Sequence, residues 1–288
     1  MTGAALKPYI ELTKPRITWL ILMSTGVGFW LGQRGPLDWW VLFHTLTGTA
    51  LIASGTATLN QWYESDRDAL MNRTKSRPIP LGQVTPMQAF VWGVFLSLAG
   101  FIELWLGANL LTAWLGLFTL GTYLFIYTPL KPVHWHATTV GAVPGAMPPV
   151  IGYAAAAGLL NAEAAALFAI LFFWQFPHFY AIAWMYREDY AQAGIRMLPV
   201  VEPDGVSTAR QILAYSVLLI PVSLIPSYLG TAGWIYSIGA VALGGYFLRS
   251  GWAVFQDRTR PRARAVLLSS VIYLPALYCL MVLDRSIR

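Results

Sequence analysis

From Leu59 the chain reads LNQWYESDRDALMNRTKSRPIP, a polar stretch set directly against an apolar run. Asn60, Glu64 and Asp68 recur at every fourth position. On one helix they would line a single face, drifting by about 40° per step. Carboxylates gathered in one volume repel one another and raise each other's pKa, and a hard cation removes that conflict. Mg²⁺ takes oxygen ligands, keeps several waters, and is commonly held by one or two carboxylates together with phosphate oxygens of a substrate. Arg73, Lys75 and Arg77 follow, ended by Pro78 and Pro80. Acids followed by a basic trio suit a polyanion such as a diphosphate: metal bridges acid to phosphate, and the cations meet the remaining oxygens directly. Asp66 points to the opposite side of such a helix, where it pairs with Arg67 or serves as a further metal ligand if the helix unwinds. The plain alternative is a cytoplasmic loop whose acids offset its basic residues; the ordered spacing argues against it.

A second polar line descends through WQFPHFYAIAWMYREDYAQAGIRMLPV. His178 and Asp189 lie eleven residues apart, three helical turns, with Gln175 close to the same face. Polar groups inside a bilayer are costly and usually face a cavity or a partner. Asp189 is therefore expected to complete a metal site facing Asn60, Glu64 and Asp68, with Glu188 as a further acid and Arg196 as a phosphate contact. For His178 the competing expectation is a hydrogen bond to a neighbouring helix. Lys131, in TPLKP, supplies one more cation on the same side. Glu103 and Glu163 fall near the other membrane face as interfacial groups, and His44, His134 and His136 near span ends where imidazoles are easily solvated.

The elements that must position these residues are read from hydropathy. Of 288 residues, 57% are hydrophobic and 11% charged, roughly half the charged share of a soluble domain. Apolar runs of about 20 residues recur throughout, and the short alternating segments of a barrel are absent. This predicts an all-α integral membrane protein, a single polytopic domain over 1–288, with about nine transmembrane helices near 15–32, 39–63, 86–106, 110–127, 138–158, 164–186, 209–229, 232–255 and 265–283. Trp39, Trp40, Tyr127, Trp135, Tyr186 and Trp234 sit near these ends as interfacial anchors. Pro144, Pro148, Pro149, Pro177, Pro221, Pro226 and Pro275 suggest kinks beside a cavity. The net charge of +6 gathers on one side: only Arg34, Arg285 and Arg288 fall on the other, which places the N-terminus and the loops at 64–85 and 187–208 in the cytoplasm. In this composition the positive charge marks membrane orientation and not nucleic-acid binding. No signal-peptide core precedes the first span. The single cysteine, Cys279, excludes an intramolecular disulfide and any multi-thiolate metal site. An acidic loop recurring four spans after the first hints at two related halves.

The pattern N-x-x-x-E-x-D-x-D-x-x-M-x-R-T at 60–74, Y-T-P-L-K at 127–131 and P-G-A-M-P-P-V-I-G at 144–152 resembles the UbiA-type intramembrane prenyltransferases. W-Q-F-P-H-F at 174–179 and D-Y-x-x-A-G-I-R-M-L-P-V at 189–200 resemble the branch of that family that farnesylates heme. Where the family usually has Asp, this chain has Glu64, and Tyr186 and Tyr190 stand at the flanking places of a second aspartate-rich motif. The resemblance implies a UbiA-type bundle in a bacterial inner membrane with its active site toward the cytoplasm. It implies farnesyl diphosphate and heme b as substrates, Mg²⁺ as cofactor, and the farnesyl head held among Asn60, Glu64, Asp68, Asp189, Arg73, Lys75 and Arg77. His178 becomes a candidate for heme ligation, and heme A synthase or terminal-oxidase assembly factors become candidate partners. The competing expectations are prenylation of a quinone precursor or another tetrapyrrole and, from a different class, a transporter. Transporters bind substrate near the midplane, whereas charge here collects at one mouth.

Overall fold

A computed structural model describes residues 3–287, and every regular element among them is helical. In chain order these are α1 (Gly3–Leu12), α2 (Pro15–Gly32), α3 (Trp39–Tyr63), the single turn α4 (Ser65–Asp68), α5 (Pro86–Gly107) and α6 (Leu110–Gly121). A π-helical segment, Thr122–Tyr127, carries α6 into α7 (Thr128–Leu130). There follow α8 (Ala137–Gly145), α9 (Met147–Ala157), α10 (Ala162–Met185), α11 (Arg187–Gln192), α12 (Leu198–Val201), α13 (Val206–Tyr228), α14 (Trp234–Gln256) and α15 (Arg260–Ile287).

Seven helical rods are long and apolar enough to cross a membrane: Pro86–Gly107, Leu110–Leu130, Ala137–Ala157, Ala162–Met185, Val206–Tyr228, Trp234–Gln256 and Arg260–Arg285. The first two expected spans are also full-length helices, but their composition is more polar. α3 buries Thr45, Thr49, Thr56, Thr58, Asn60 and Gln61 together with Gly48 and Gly55. Small and hydroxyl-bearing residues of this kind let membrane helices approach closely.

α3 packs along α5, α2 along α9, and α10 against α13 and α15, with α14 between the last two. Tyr153, Tyr180, Tyr236, Tyr273 and Tyr278 are fully buried between these helices, while Trp19, Leu106 and Phe125 are exposed on the outside. An exterior this apolar is suited to lipid. The prolines act unequally. Pro177, Pro221, Pro226 and Pro275 lie inside unbroken helices, whereas the stretch from Pro144 to Pro149 divides the Ala137–Ala157 rod at Ala146 into α8 and α9.

Side chains cap several helix starts. Asp38 accepts hydrogen bonds from the Trp40 and Val41 amides, both 3.0 Å, at the head of α3. Asp38→Ala should cost about 1 kcal/mol, read as a lowered melting temperature in detergent with no change of helix content. At the end of the bundle away from the first polar loop, the acids are paired, not merely solvated. His44 Nδ1 lies 2.7 Å from Glu103 Oε1, linking α3 to α5. Glu163 accepts from Arg34 at 2.5 Å and from the Tyr153 hydroxyl at 2.7 Å. Arg285 donates to the Leu31 and Gln33 carbonyls at 2.5 and 2.6 Å, fastening the last helix to the end of α2.

Candidate active site

The site is built where α3 ends. The helix does not run straight through Asp68, as the four-residue spacing suggested: Glu64 (φ −98°, ψ 7°) breaks it, and α4 starts afresh at Ser65. Main-chain bonds still join Glu64 N to Asn60 O (3.0 Å) and Asp68 N to Glu64 O (2.8 Å), so the three residues stay at the same end of α3. All three are buried. Asn60 donates from Nδ2 to Glu64 Oε2 at 2.9 Å and to Thr128 Oγ1 at 3.2 Å. Asp68 pairs with Arg77, closing the loop between them.

Lys131 enters from the far end of the π-helical rod. Its Nζ donates to both Glu64 oxygens at 2.9 Å and stands 4.5 Å over the Tyr127 ring. The Lys131 carbonyl in turn accepts from the Arg196 amide at 2.9 Å, tying the two polar loops together. Lys14 comes from the other side. Alone among the described non-glycine residues it has a positive φ (49°, with ψ 60°), just before Pro15, and its Nζ donates to Asn60 Oδ1 at 3.4 Å. The preceding turn is anchored by Gln61 Nε2, which donates to Leu12 O at 2.7 Å. Left-handed geometry at a lysine is strained, and here it turns a cation inward from the start of α2.

The charges in this cluster differ in state. Burial works to raise the Glu64 carboxyl, but the charge and hydrogen bonds of Lys131 outweigh it and leave the group below its usual value. Burial also raises Asp68, and there Arg77 does not fully compensate, so that carboxyl stays above its ordinary range. Burial opposes the charge on Lys131, yet Tyr127 and Glu64 hold it above the usual lysine value. Lys14 is drawn down to about 7 by burial first, then by repulsion from Arg77 and Lys131.

The opposite wall is the turn from α10 into α11. The Asp189 carboxylate accepts from the Arg73 amide at 3.3 Å and the Asn72 side chain at 3.5 Å. It thus meets the first loop at Asn72 and Arg73. The Arg73 guanidinium carbon lies 5.5 Å from the Tyr186 ring centre and 5.7 Å from that of Tyr190. Lys75 bonds Asn72 at 2.8 Å, and the side chains of Lys75 and Arg196 are exposed on the rim. Asp66 is exposed, as is Glu188, which stands 3.7 Å from Arg187.

The polar line expected along α10 does not hold together. Gln175 donates to Ala142 O at 3.1 Å. His178 turns toward α15, with Nδ1 2.8 Å from Ser270 Oγ and its ring stacked on Trp174 at 4.8 Å. The hydrogen bond to a neighbouring helix, weighed for His178 from the sequence, is present. Lys14, Thr128 and Asn72 were not singled out; a lysine directly before the proline that opens the first span was the available sign for Lys14.

Among the described residues no three His, Cys, Asp or Glu side chains gather closely enough to cage a metal by themselves. The Asn60 carbonyl and the Glu64 and Asp68 carboxylates are hard oxygen donors at one helix end. That set fits an ion shared with substrate phosphates better than one held by protein alone.

A bundle of apolar helices with this charged end defines a multi-pass membrane protein with a polar site at one mouth. A solved digeranylgeranylglyceryl phosphate synthase has the same fold, with a TM-score of 0.81 over 98% of this chain and 99% of that one at 15% identity. A UbiA homologue from Archaeoglobus fulgidus, bound to GPP and Mg²⁺, superposes with a TM-score of 0.70 at 15% identity, covering 95% of this chain and 99% of that one. The model of the UbiA prenyltransferase family matches residues 21–273, and the chain belongs to that family. Its sequence is 60% identical to a protoheme IX farnesyltransferase of Solibacter usitatus, over 97% of this chain and 99% of that relative.

Proposed function

We propose that this protein transfers the farnesyl group of farnesyl diphosphate to a vinyl group of heme b, with addition of water, giving heme O and diphosphate. The observation that carries the reading is the cluster of buried Asn60, Glu64, Asp68 and Lys131 with half-buried Lys14 and Arg77 at one end of an apolar bundle. The kinship with protoheme IX farnesyltransferase supplies the acceptor. Asn60, Glu64 and Asp68 would hold Mg²⁺, which would supply charge neutralisation for the diphosphate when bound.

The residues of the chain do the rest. Arg73, Arg77, Lys131 and Lys14 meet diphosphate oxygens, and Lys75 and Arg196 attract the anion at the rim. Asp189 keeps the second loop on the first. Cations aimed at the departing diphosphate favour heterolysis of the C–O bond, whose electron pair leaves with the diphosphate. The vinyl group of heme b donates its π electrons to the allylic carbon, forming the C–C bond. Water captures the resulting cation and loses a proton, leaving a hydroxyethylfarnesyl group. Bulk water would quench the allylic cation first, and the apolar helices around the tail exclude it.

By the distribution of basic residues the site faces the cytoplasm, in a bacterial inner membrane. Product passes from there to heme A synthase or terminal-oxidase assembly. The test is incubation of membranes holding the protein with heme b, farnesyl diphosphate and Mg²⁺, with heme products identified by mass. A heme heavier by one farnesyl group plus one hydroxyl group is expected. Absence of that product from demonstrably folded protein would overturn the assignment, and a prenylated quinone precursor formed in its place would move the chain to another branch of the family.

A further inference from the structure

Two long helices end in the same way. α3 stops at Tyr63 and turns through Glu64 (φ −98°, ψ 7°) into α4; α10 stops at Met185 and turns through Tyr186 (φ −115°, ψ 23°) into α11. Four residues past the first break is Asp68, and four past the second is Tyr190. Where the first wall presents two buried carboxylates, the second presents two phenol rings.

Those rings hold a cation. The Arg73 guanidinium lies 5.5 and 5.7 Å from the ring centres of Tyr186 and Tyr190, and its Nη2 donates to the Tyr190 hydroxyl at 3.4 Å. Its own main-chain N–H is fixed by Asp189 at 3.3 Å. Both the root and the head of this side chain are therefore set. Its charge, however, is not cancelled. Arg77 is paired with Asp68 and Lys131 with Glu64, whereas no side-chain ion pair of Arg73 occurs among the described residues. An aromatic face orients a guanidinium without neutralising it, and most of its five N–H donors remain available for phosphate. The second wall borders the same site: beyond Tyr190 the Arg196 amide donates to the Lys131 carbonyl at 2.9 Å, and Lys131 pairs with Glu64.

We propose that Tyr186 and Tyr190 are positioning residues that hold Arg73 as the preformed diphosphate contact of the second wall. The proposal rests on the diphosphate reading above. It assigns the aromatic pair a job that the acids perform on the first wall: presenting a fixed partner to the same anion.

The test is equilibrium binding of farnesyl thiodiphosphate, with Mg²⁺ and without heme, to the purified full chain in detergent, alongside KM and kcat in the complete assay. Replacing both rings (Tyr186→Leu with Tyr190→Leu) should weaken binding about tenfold, the magnitude of two cation–π contacts. KM for farnesyl diphosphate should rise in step while KM for heme b stays within twofold. Tyr190→Phe, which keeps the ring and loses only the hydroxyl, should weaken binding less than the double replacement. In an Arg73→Ala background the ring replacements should have no further effect, since coupled residues are non-additive. Equal losses with and without Arg73 would show a general packing role and overturn the proposal, as would unchanged affinity in the folded double variant. Failure of the wild-type chain to bind the analogue at all would instead bring down the diphosphate reading itself.

Discussion

Glu64→Gln should reduce farnesyl transfer by at least about a hundredfold, the scale on which single groups that stabilise developing charge act. The variant keeps the shape of the side chain and one acceptor but removes the carboxylate that Lys131 and Asn60 both engage. Its second effect is on stability. Lys131 is buried with Glu64 as its ion-pair partner, and an unpaired buried charge costs about 3–5 kcal/mol. The two effects separate in a pair of variants. Removing both partners (Glu64→Gln with Lys131→Met) should recover most of the lost stability, because replacing a buried pair with neutral groups is often neutral, yet it should recover none of the activity. Unfolding in detergent and turnover measured on the same preparations decide the matter. Wild-type turnover by folded Glu64→Gln protein would refute a role for this cluster in the reaction.

What the sequence made legible follows from how local each signal is. Pro15 at the first helical position fixes the start of α2 through a short-range effect, and apolar runs of membrane-spanning length mark the other rods. The convergence of Asn60 and Glu64 is likewise local, because it needs only one helical turn. Other features depend on distant partners. The Lys14 bond to Asn60 joins residues 46 apart, and the Glu163 pair with Arg34 joins residues 129 apart. Neither leaves a mark on local pattern beyond a basic or acidic residue at a span end. The expected alignment of His178 with Asp189 failed for a physical reason: a shared face three turns apart requires an unbroken helix, and the turn through Tyr186 intervenes. Breaks of this kind, including the one at Ala146, are set by packing as much as by residue type.

Gly152→Val should be the most damaging single change away from the site. α2 and α9 cross so closely that a methyl group on Gly152 would overlap the Thr25 carbonyl oxygen, and one on Gly28 would overlap that of Pro149. A Cβ at Gly32 would sit 2.7 Å from Tyr153 O. Each obstacle is main chain, so no rotamer change relieves it and the two helices must move apart. Within a bilayer that separation is poorly compensated: lipid tails are as apolar as the side chains, and association rests on close packing. Overpacking a well-fitted core usually costs about 1–3 kcal/mol, and a branched side chain against main chain should exceed that. Gly26, in the partner helix α2, is the control, since a Cβ there meets nothing within 4 Å. Gly26→Ala should be neutral or mildly stabilising, by up to about 1 kcal/mol from helix propensity. The effect should reach catalysis as well. Lys14 stands at the head of α2, so displacing that helix draws its ammonium group from Asn60. Thermal unfolding of the two variants, with turnover of whatever remains folded, tests both claims. Equal melting temperatures for Gly152→Val and Gly26→Ala would show that the close crossing of α2 and α9 does not hold the bundle.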